Sequence, residues 1–306
     1  MMQPRVWRSA RDGRYYAQAQ QQVFEAKLIA PGDVAEVEAA TILDEVLGLA
    51  GPQYRLRQAC RPVRLDTLTA RIDVATKLAG REKVPPLVEA ELSSEAYTGV
   101  DLDLWKNVVH IAVSDEAVKR AAHDIIGLHA ADAARDLARM ENKQIAEELA
   151  KATEDAAADT WDTFTGGVSD ANPFADIQTQ FEVIEGAGYP PDCVVMHPQV
   201  WSGFITNTYV APLVEAGIVG LGGAGASLSL PGWPTVKVLI DHAATPDTSC
   251  FVLSVDAPAV VLGEGPTEAA RYRDERAGYD AYIIRQWLQP VLVLGEAIRE
   301  ITGAHS

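Results

Sequence analysis

One stretch constrains the chain more than any other: Ser114 to Ala152, SDEAVKRAAHDIIGLHAADAARDLARMENKQIAEELAKA. Ile126, Ala130, Ala134, Leu137, Ala138, Ile145, Leu149 and Ala152 recur at threes and fours, which draws one narrow apolar stripe along a helix. Ser114 suits an N-cap, and Asp115 and Glu116 place negative charge where the helix dipole favours it. Opposite the stripe lie Arg135, Asp136, Arg139, Asn142, Lys143 and Glu147. Lys143 with Glu147 and Glu147 with Lys151 set opposite charges four residues apart, each pair worth a few tenths of a kcal/mol. Gly127 is expected to divide the stretch into a short helix and a long one, the latter roughly 40 Å in length at about 1.5 Å per residue. A helix of that length with an alanine-rich stripe fits a strut shared between lobes or between neighbouring subunits.

The flanking chain reads in order. Residues 1–30 carry much Arg, Gln and Tyr with little period, as an arm lying on something else would. Pro31-Gly32-Asp33 opens a helix with Asp33 as its cap and Val37, Ala40, Ile42, Leu43, Val46 and Leu47 as its buried side. Gly48, Gly51 and Pro52 end it. From Val63 the period becomes two: Leu65, Thr67, Thr69, Arg71, Asp73 and Ala75 alternate with Asp66, Leu68, Ala70, Ile72, Val74 and Thr76. A polar tip and Pro85-Pro86 follow, and the chain returns through Tyr97, Val100, Leu102 and VVHIAV into Ser114. Residues 63–113 thus read as a two-stranded excursion. An isolated hairpin is marginal in water, so this one is expected to lean on another molecule. After the long helix, a Gly/Asp/Ser/Thr-rich joint at 159–173 precedes a helix from Phe174 to Gly186 and a short buried strand over Pro190–Pro198 closed by a turn. A further helix carries Val200, Trp201 and Phe204. Strands continue at 236–240, 250–255, 259–262, 279–288 and 291–294.

Charge and motifs exclude several functions. Twenty-six Lys and Arg stand against 43 Asp and Glu, a net of −17, which argues against bulk attraction to nucleic acid or an anionic membrane. Basic clusters at Arg5, Arg8, Arg11 and Arg14, and at Arg55, Arg57, Arg61 and Arg64, read first as solvated or inter-subunit surface. Cys60, Cys193 and Cys250 lie far apart without a CxxC and read as reduced and buried, as in a cytoplasmic product. No signal peptide or membrane span is read. Gly220, Gly222 and Gly225 match the dinucleotide fingerprint as a string, but SLSLPGWP follows where that fingerprint needs a helix, so a loop is expected. No histidine pair has zinc-ligand spacing. A Cys193/His197 nucleophile couple is disfavoured by burial of the strand between them. The expectation is a chain with no catalytic residues, no cofactor and no metal.

Three stretches then carry a resemblance: LDLWKNVVHIAVSDEAVKRAAHDI (102–125), YPPDCVVMHPQVWSGF (189–204) and YIIRQWLQPVLVLGEAIREIT (282–302). With the order ribbon, long helix, mixed lobe, late hairpin, the chain resembles the major capsid protein of tailed bacteriophages and viruses, the Hong Kong ninety-seven-like fold that encapsulins share. The resemblance implies an α+β fold with a long spine helix, an extended β-hairpin loop, and axial and peripheral domains. Residues 1–62 are then an N-terminal arm and short helix, and 63–113 the extended loop. Residues 114–170 and 255–288 form the peripheral domain, with a hairpin tip around Gly265 to Gly278. Residues 171–254 and 289–306 form the axial domain.

It also implies self-assembly into hexamers and pentamers of an icosahedral shell around double-stranded DNA. Separate scaffold, portal and cement proteins are the implied partners, with no membrane. The place is the virion capsid, assembled in the host cytoplasm. Lys77, Arg81, Lys83, Glu89, Glu91, Arg135 and Arg139 are the expected assembly contacts, and Arg5, Arg8, Arg11 and Arg14 an inner-face arm near DNA. Some members of the family cross-link a loop Lys to an Asn on the peripheral hairpin. Here Lys77 and Lys83 are present but no Asn follows Asn207, so no covalent chain-mail is expected. Because only 62 residues precede Val63, scaffold is expected to be a separate protein or already removed. An encapsulin shell is the alternative, and a nucleotide-binding enzyme resting on the three glycines is the weakest reading.

Overall fold

A computed structural model describes residues 6–8, 15–17, 31–75, 97–116, 125–157, 160–161, 171–215, 226–230, 233–243 and 248–305. At the N-terminal end β1 (Val6–Arg8) and β2 (Tyr15–Ala17) pair with each other, antiparallel. Helix α1 spans Pro31–Ala50. It starts at the proline, whose fixed φ suits a first helical position, so Asp33, expected at the N-cap, is the third residue of the helix. Ile42, Val46 and Ala50 are its buried side together with Ala39, whereas Ala40 is exposed. Two short 3-10 turns, Gly51–Gln53 and Leu56–Ala59, lead into β3 (Arg61–Arg64).

The excursion is shorter than its alternating pattern suggested. Only β4 (Thr69–Ala75) and β5 (Tyr97–Asp103) form a separate two-stranded ribbon. β3 pairs instead with β12 (Val260–Asp274), and β6 (Trp105–Ser114) pairs with β13 (Tyr279–Leu292) along ten residues. The reason is that a period of two announces a strand without naming its partner. β3, β12, β13 and β6 make a four-stranded sheet. The β12–β13 hairpin turns at Glu275–Gly278, where Gly278 takes φ +64°. Gly265 lies well back from that tip, at a bulge between Glu264 and Thr267.

Helix α2 runs Ile125–Leu149, about 37 Å at 1.5 Å per residue. Gly127 therefore sits in its first turn and does not divide it; residues 117–124 lie outside the described residues. Ser114 closes β6, opposite Tyr279. After β7 (Thr153–Ala156) come α3 (Pro173–Gly186), capped by the Asn172 side chain, β8 (Cys193–Met196), α4 (Pro198–Thr206) and α5 (Ala211–Glu215). β9 (Ala226–Leu230), β10 (Trp233–Ile240), β11 (Cys250–Leu253) and the last strand β14 (Ile298–Thr302) complete a six-stranded sheet ordered β7-β14-β11-β8-β10-β9. β14 has no counterpart among the strands expected from local pattern. The strands expected at 279–288 and 291–294 merge into one continuous strand, β13, which ends at Leu292.

β8 and β11 are buried on both faces. Alternation sends Val194 and Met196 to the side covered by Ile177, Phe181 and Phe204 of α3 and α4, and Cys193 and Val195 to the other. That other side meets Leu56, Ile145 and Leu149. One face of the four-stranded sheet, with Ile111, Val113, Tyr282 and Ile284, packs on Ile42 and Val46 of α1 and Ala130, Ala134 and Leu137 of α2. So α2 belongs to two cores: its first half to the four-stranded sheet, its last turns to the six-stranded one. Its alanines let α1 and the sheet approach closely, since each presents one methyl group.

Candidate functional site

Where α2 crosses from one core to the other, its buried face turns polar. Glu141 is fully buried and Asn142 is 4% exposed. Asn142, expected on the charged outer face, instead accepts from Leu56 N (3.3 Å) and donates to Gln53 O (2.9 Å) and Asp241 (3.3 Å). It thereby ties helix, 3-10 turns and the end of β10 together. Helical period alone marks the apolar stripe, and a polar residue beside it carries no local sign of its orientation.

Glu141 is held by a forked pair. Arg57 Nε and Nη2 donate to its two oxygens at 2.7 and 2.8 Å, and Gln286 Nε2 donates at 3.0 Å. Arg57 also reaches Glu264 at 3.0 Å and lies over the Tyr54 ring. Burial alone would lower the Arg57 pKa, but the hydrogen bonds and charge of Glu141 hold it above its ordinary value. Burial, reinforced by Glu141, pushes the Tyr54 hydroxyl up to about 12. One residue level away, Asn107 of β6 and Gln144 of α2 exchange two hydrogen bonds (3.2 and 2.9 Å). Glu148 accepts from Leu292 N at 3.2 Å. This polar seam fixes the register of α2 against both sheets. The Arg57–Glu141 fork supplies directional bonds there, which specify geometry.

The outer face of α2 is locally neutralised. Arg135 pairs with Asp132 (2.8 Å), Arg139 with Asp136 (3.5 Å) and Lys143 with Glu147 (3.8 Å), all well exposed. Lys151 pairs with Glu148, three residues back, and not with Glu147. Lys77, Arg81, Lys83, Glu89 and Glu91 lie outside the described residues, as do Arg5, Arg11 and Arg14; Arg8 is the last residue of β1. At the root of the ribbon, Leu68 and Trp105 are 48% and 68% exposed.

The candidate chemistries find little support among the described residues. Gly220 and Gly222 fall outside them, as does Gly225, but the residues directly after are strand β9, paired with β10, where a dinucleotide site needs a helix. No cluster of three or more metal-binding side chains occurs among the described residues, and no helix there is long and apolar enough to cross a membrane. His197 Nδ1 accepts from Gln199 N, capping α4. Burial pushes the thiols of Cys193 and Cys250 far up and that of Cys60 up to about 12. All three are free and buried. A thiol reagent should accordingly label none of them in the folded subunit and all three in denaturant; reaction of any one without unfolding would contradict this packing. The sign of the linkage follows: an acid whose pKa rises on folding stabilises below its unfolded value, about 8.5 for Cys. Stability should fall as pH climbs from there toward 12.

No protein-family model and no curated protein matches the chain. Solved structures do. The virus-like particle from Pyrococcus furiosus superposes with a TM-score of 0.62 at 11% identity, over 86% of this chain and 99% of that one. The fold is the Hong Kong ninety-seven-like capsid fold. Within it, the capsid of the cyanophage P-SCSP1u gives a TM-score of 0.61 at 12% identity, over 82% and 88% of the two chains. The SrpI encapsulin of Synechococcus elongatus gives 0.57 at 9%, also over 82% and 88%. At such identities the likeness shows the fold alone.

Proposed function

We propose that this protein is a major capsid subunit that self-assembles into hexamers and pentamers of an icosahedral shell around double-stranded DNA. The observation that carries the reading is the near-complete coverage of a virus-like-particle subunit by this chain. The exposed Leu68 and Trp105 at the ribbon root support it, because large apolar side chains in water mark a surface awaiting a partner. On this reading residues 1–62 are arm and short helix, and the extended loop, expected over 63–113, is carried by the β4–β5 ribbon, since β6 belongs to the four-stranded sheet. Residues 114–170 and 255–288 are the peripheral domain; 171–254 and 289–306 are the axial domain. Arg135 and Arg139, with Lys77, Arg81, Lys83, Glu89 and Glu91, meet neighbouring subunits. Arg5, Arg8, Arg11 and Arg14 lie toward the packaged DNA. Scaffold, portal and cement proteins act as separate partners, assembly takes place in a host cytoplasm, and the finished location is the virion.

The encapsulin reading stands second, favoured by a likeness to the SrpI shell nearly as close. Imaging of the purified protein by electron microscopy tests both. Closed particles that are empty or hold DNA support the viral reading, and particles with a co-purifying enzyme support the encapsulin one. A concentrated sample that stays monomeric at every salt concentration would overturn both.

A further inference from the structure

We infer that the ribbon leaves the subunit at an angle set within the chain itself, by Leu104 seated in a notch made by Gly263 and Gly265. β5 ends at Asp103 and β6 begins at Trp105, so Leu104 alone separates the ribbon from the four-stranded sheet. On that side the change of pairing partner, from β4 to β13, falls on this one residue. Its side chain is 7% exposed although its neighbours Asp103 and Trp105 face solvent.

The notch exists because two residues of β12 lack side chains. A Cβ placed on Gly263 would stand 3.1 Å from Leu104 Cδ2 and 3.5 Å from Leu65 Cδ1; one on Gly265 would stand 2.9 Å from Leu104 Cδ1. Either is closer than carbon atoms pack without something moving. The bulge between Glu264 and Thr267 lies at the same place, where strands bend and side chains are re-aimed. Three hydrogen bonds hold the seat from both sides. Leu65 N donates to Glu264 O (2.8 Å), Leu104 N to Leu68 O (2.8 Å), and Asp103 N to the Gln289 side chain. Both strands of the ribbon are thus anchored to β12 and β13 before any neighbour is present. A subunit built this way offers a preorganised ribbon, and less ordering remains to be done when copies meet.

The test is a distance within one subunit, measured on the full-length unassembled protein. Spin labels on Asp101→Cys in β5 and Glu268→Cys in β12 report the ribbon against the body, since the native cysteines are buried. The wild-type background should give one narrow distance distribution. Leu104→Ala, which empties the seat, should broaden it, and Gly263→Val should shift its mean by several ångströms. Combining Gly263→Val with Leu104→Ala should bring the mean back toward the original. Should Gly263→Val fail to fold, Leu104→Ala still decides. A wild-type distribution already as broad as that of Leu104→Ala, or one that no substitution changes, would overturn the inference. Because the readout is intramolecular, its failure is separate from a failure to form particles, which microscopy scores independently.

Discussion

Replacing Arg57 by leucine should destabilise the subunit by about 3–5 kcal/mol, the usual penalty for stripping the partner from a buried charge. Glu141 is fully buried, and without the guanidinium fork only Gln286 Nε2 would still donate to it. The reverse change should cost less. In Glu141→Gln the Arg57 side chain, one-third exposed, keeps Glu264 and water, and no charge is stranded in the interior. Replacing both residues by apolar ones of similar volume should recover most of the loss, because the pair contributes directional specificity more than net stability. Urea unfolding of dissociated subunits measures all three variants. Equal losses for Arg57→Leu and Glu141→Gln would show that Glu141 is solvated and that the seam is not dry. The expected consequence reaches beyond stability. Arg57 and Glu141 sit where α2 passes between its two cores, so particles grown from the weakened subunit should be fewer and less regular.

Charge reversal on the outer face of α2 should do the opposite: spare the fold and stop assembly. Arg135 and Arg139 are exposed and, among the described residues, pair with Asp132 and Asp136, one turn away on the same helix. Such pairs are worth about 0–1 kcal/mol each. The double variant Arg135→Glu, Arg139→Glu should therefore unfold within about 2 kcal/mol of the parent, allowing for the new like-charge neighbours. If this face meets a neighbouring subunit, as proposed, each contact in the shell would carry the reversed charge in every copy. Particles should be lost in size-exclusion chromatography and electron microscopy, with subunits still folded by circular dichroism. Intact particles from both single variants would remove this face from the proposed interface.

The two experiments differ because local and long-range information differ along α2. Ala130, Ala134, Leu137, Ile145 and Leu149 could be assigned to the buried stripe from spacing alone, since helical period is a property of neighbours in sequence. The buried strand within 190–198 and the helix from Phe174 to Gly186 were legible for the same reason: a short apolar run in one, helical period in the other. Glu141 and Asn142 were not. Their partners Arg57, Leu56 and Gln286 stand 84 to 145 residues away, and nothing near them announces those contacts. The resemblance carried by residues 102–125, 189–204 and 282–302 pointed to the fold that the solved structures share. It carried no information about the seam or the ribbon seat.

What the sequence determined by itself was therefore the kind of many of its elements: a long alanine-striped helix and strands of alternating or continuous apolar character. Short-range sterics and hydrophobic period decide these within a few residues. The tertiary structure alone decided partnership. It gave β6 to β13 rather than to the ribbon, turned Asn142 inward, and seated Leu104 over Gly263 and Gly265. Strand pairing and side-chain seating depend on which distant surfaces come together, and every strand edge or buried amide is chemically ready for more than one partner.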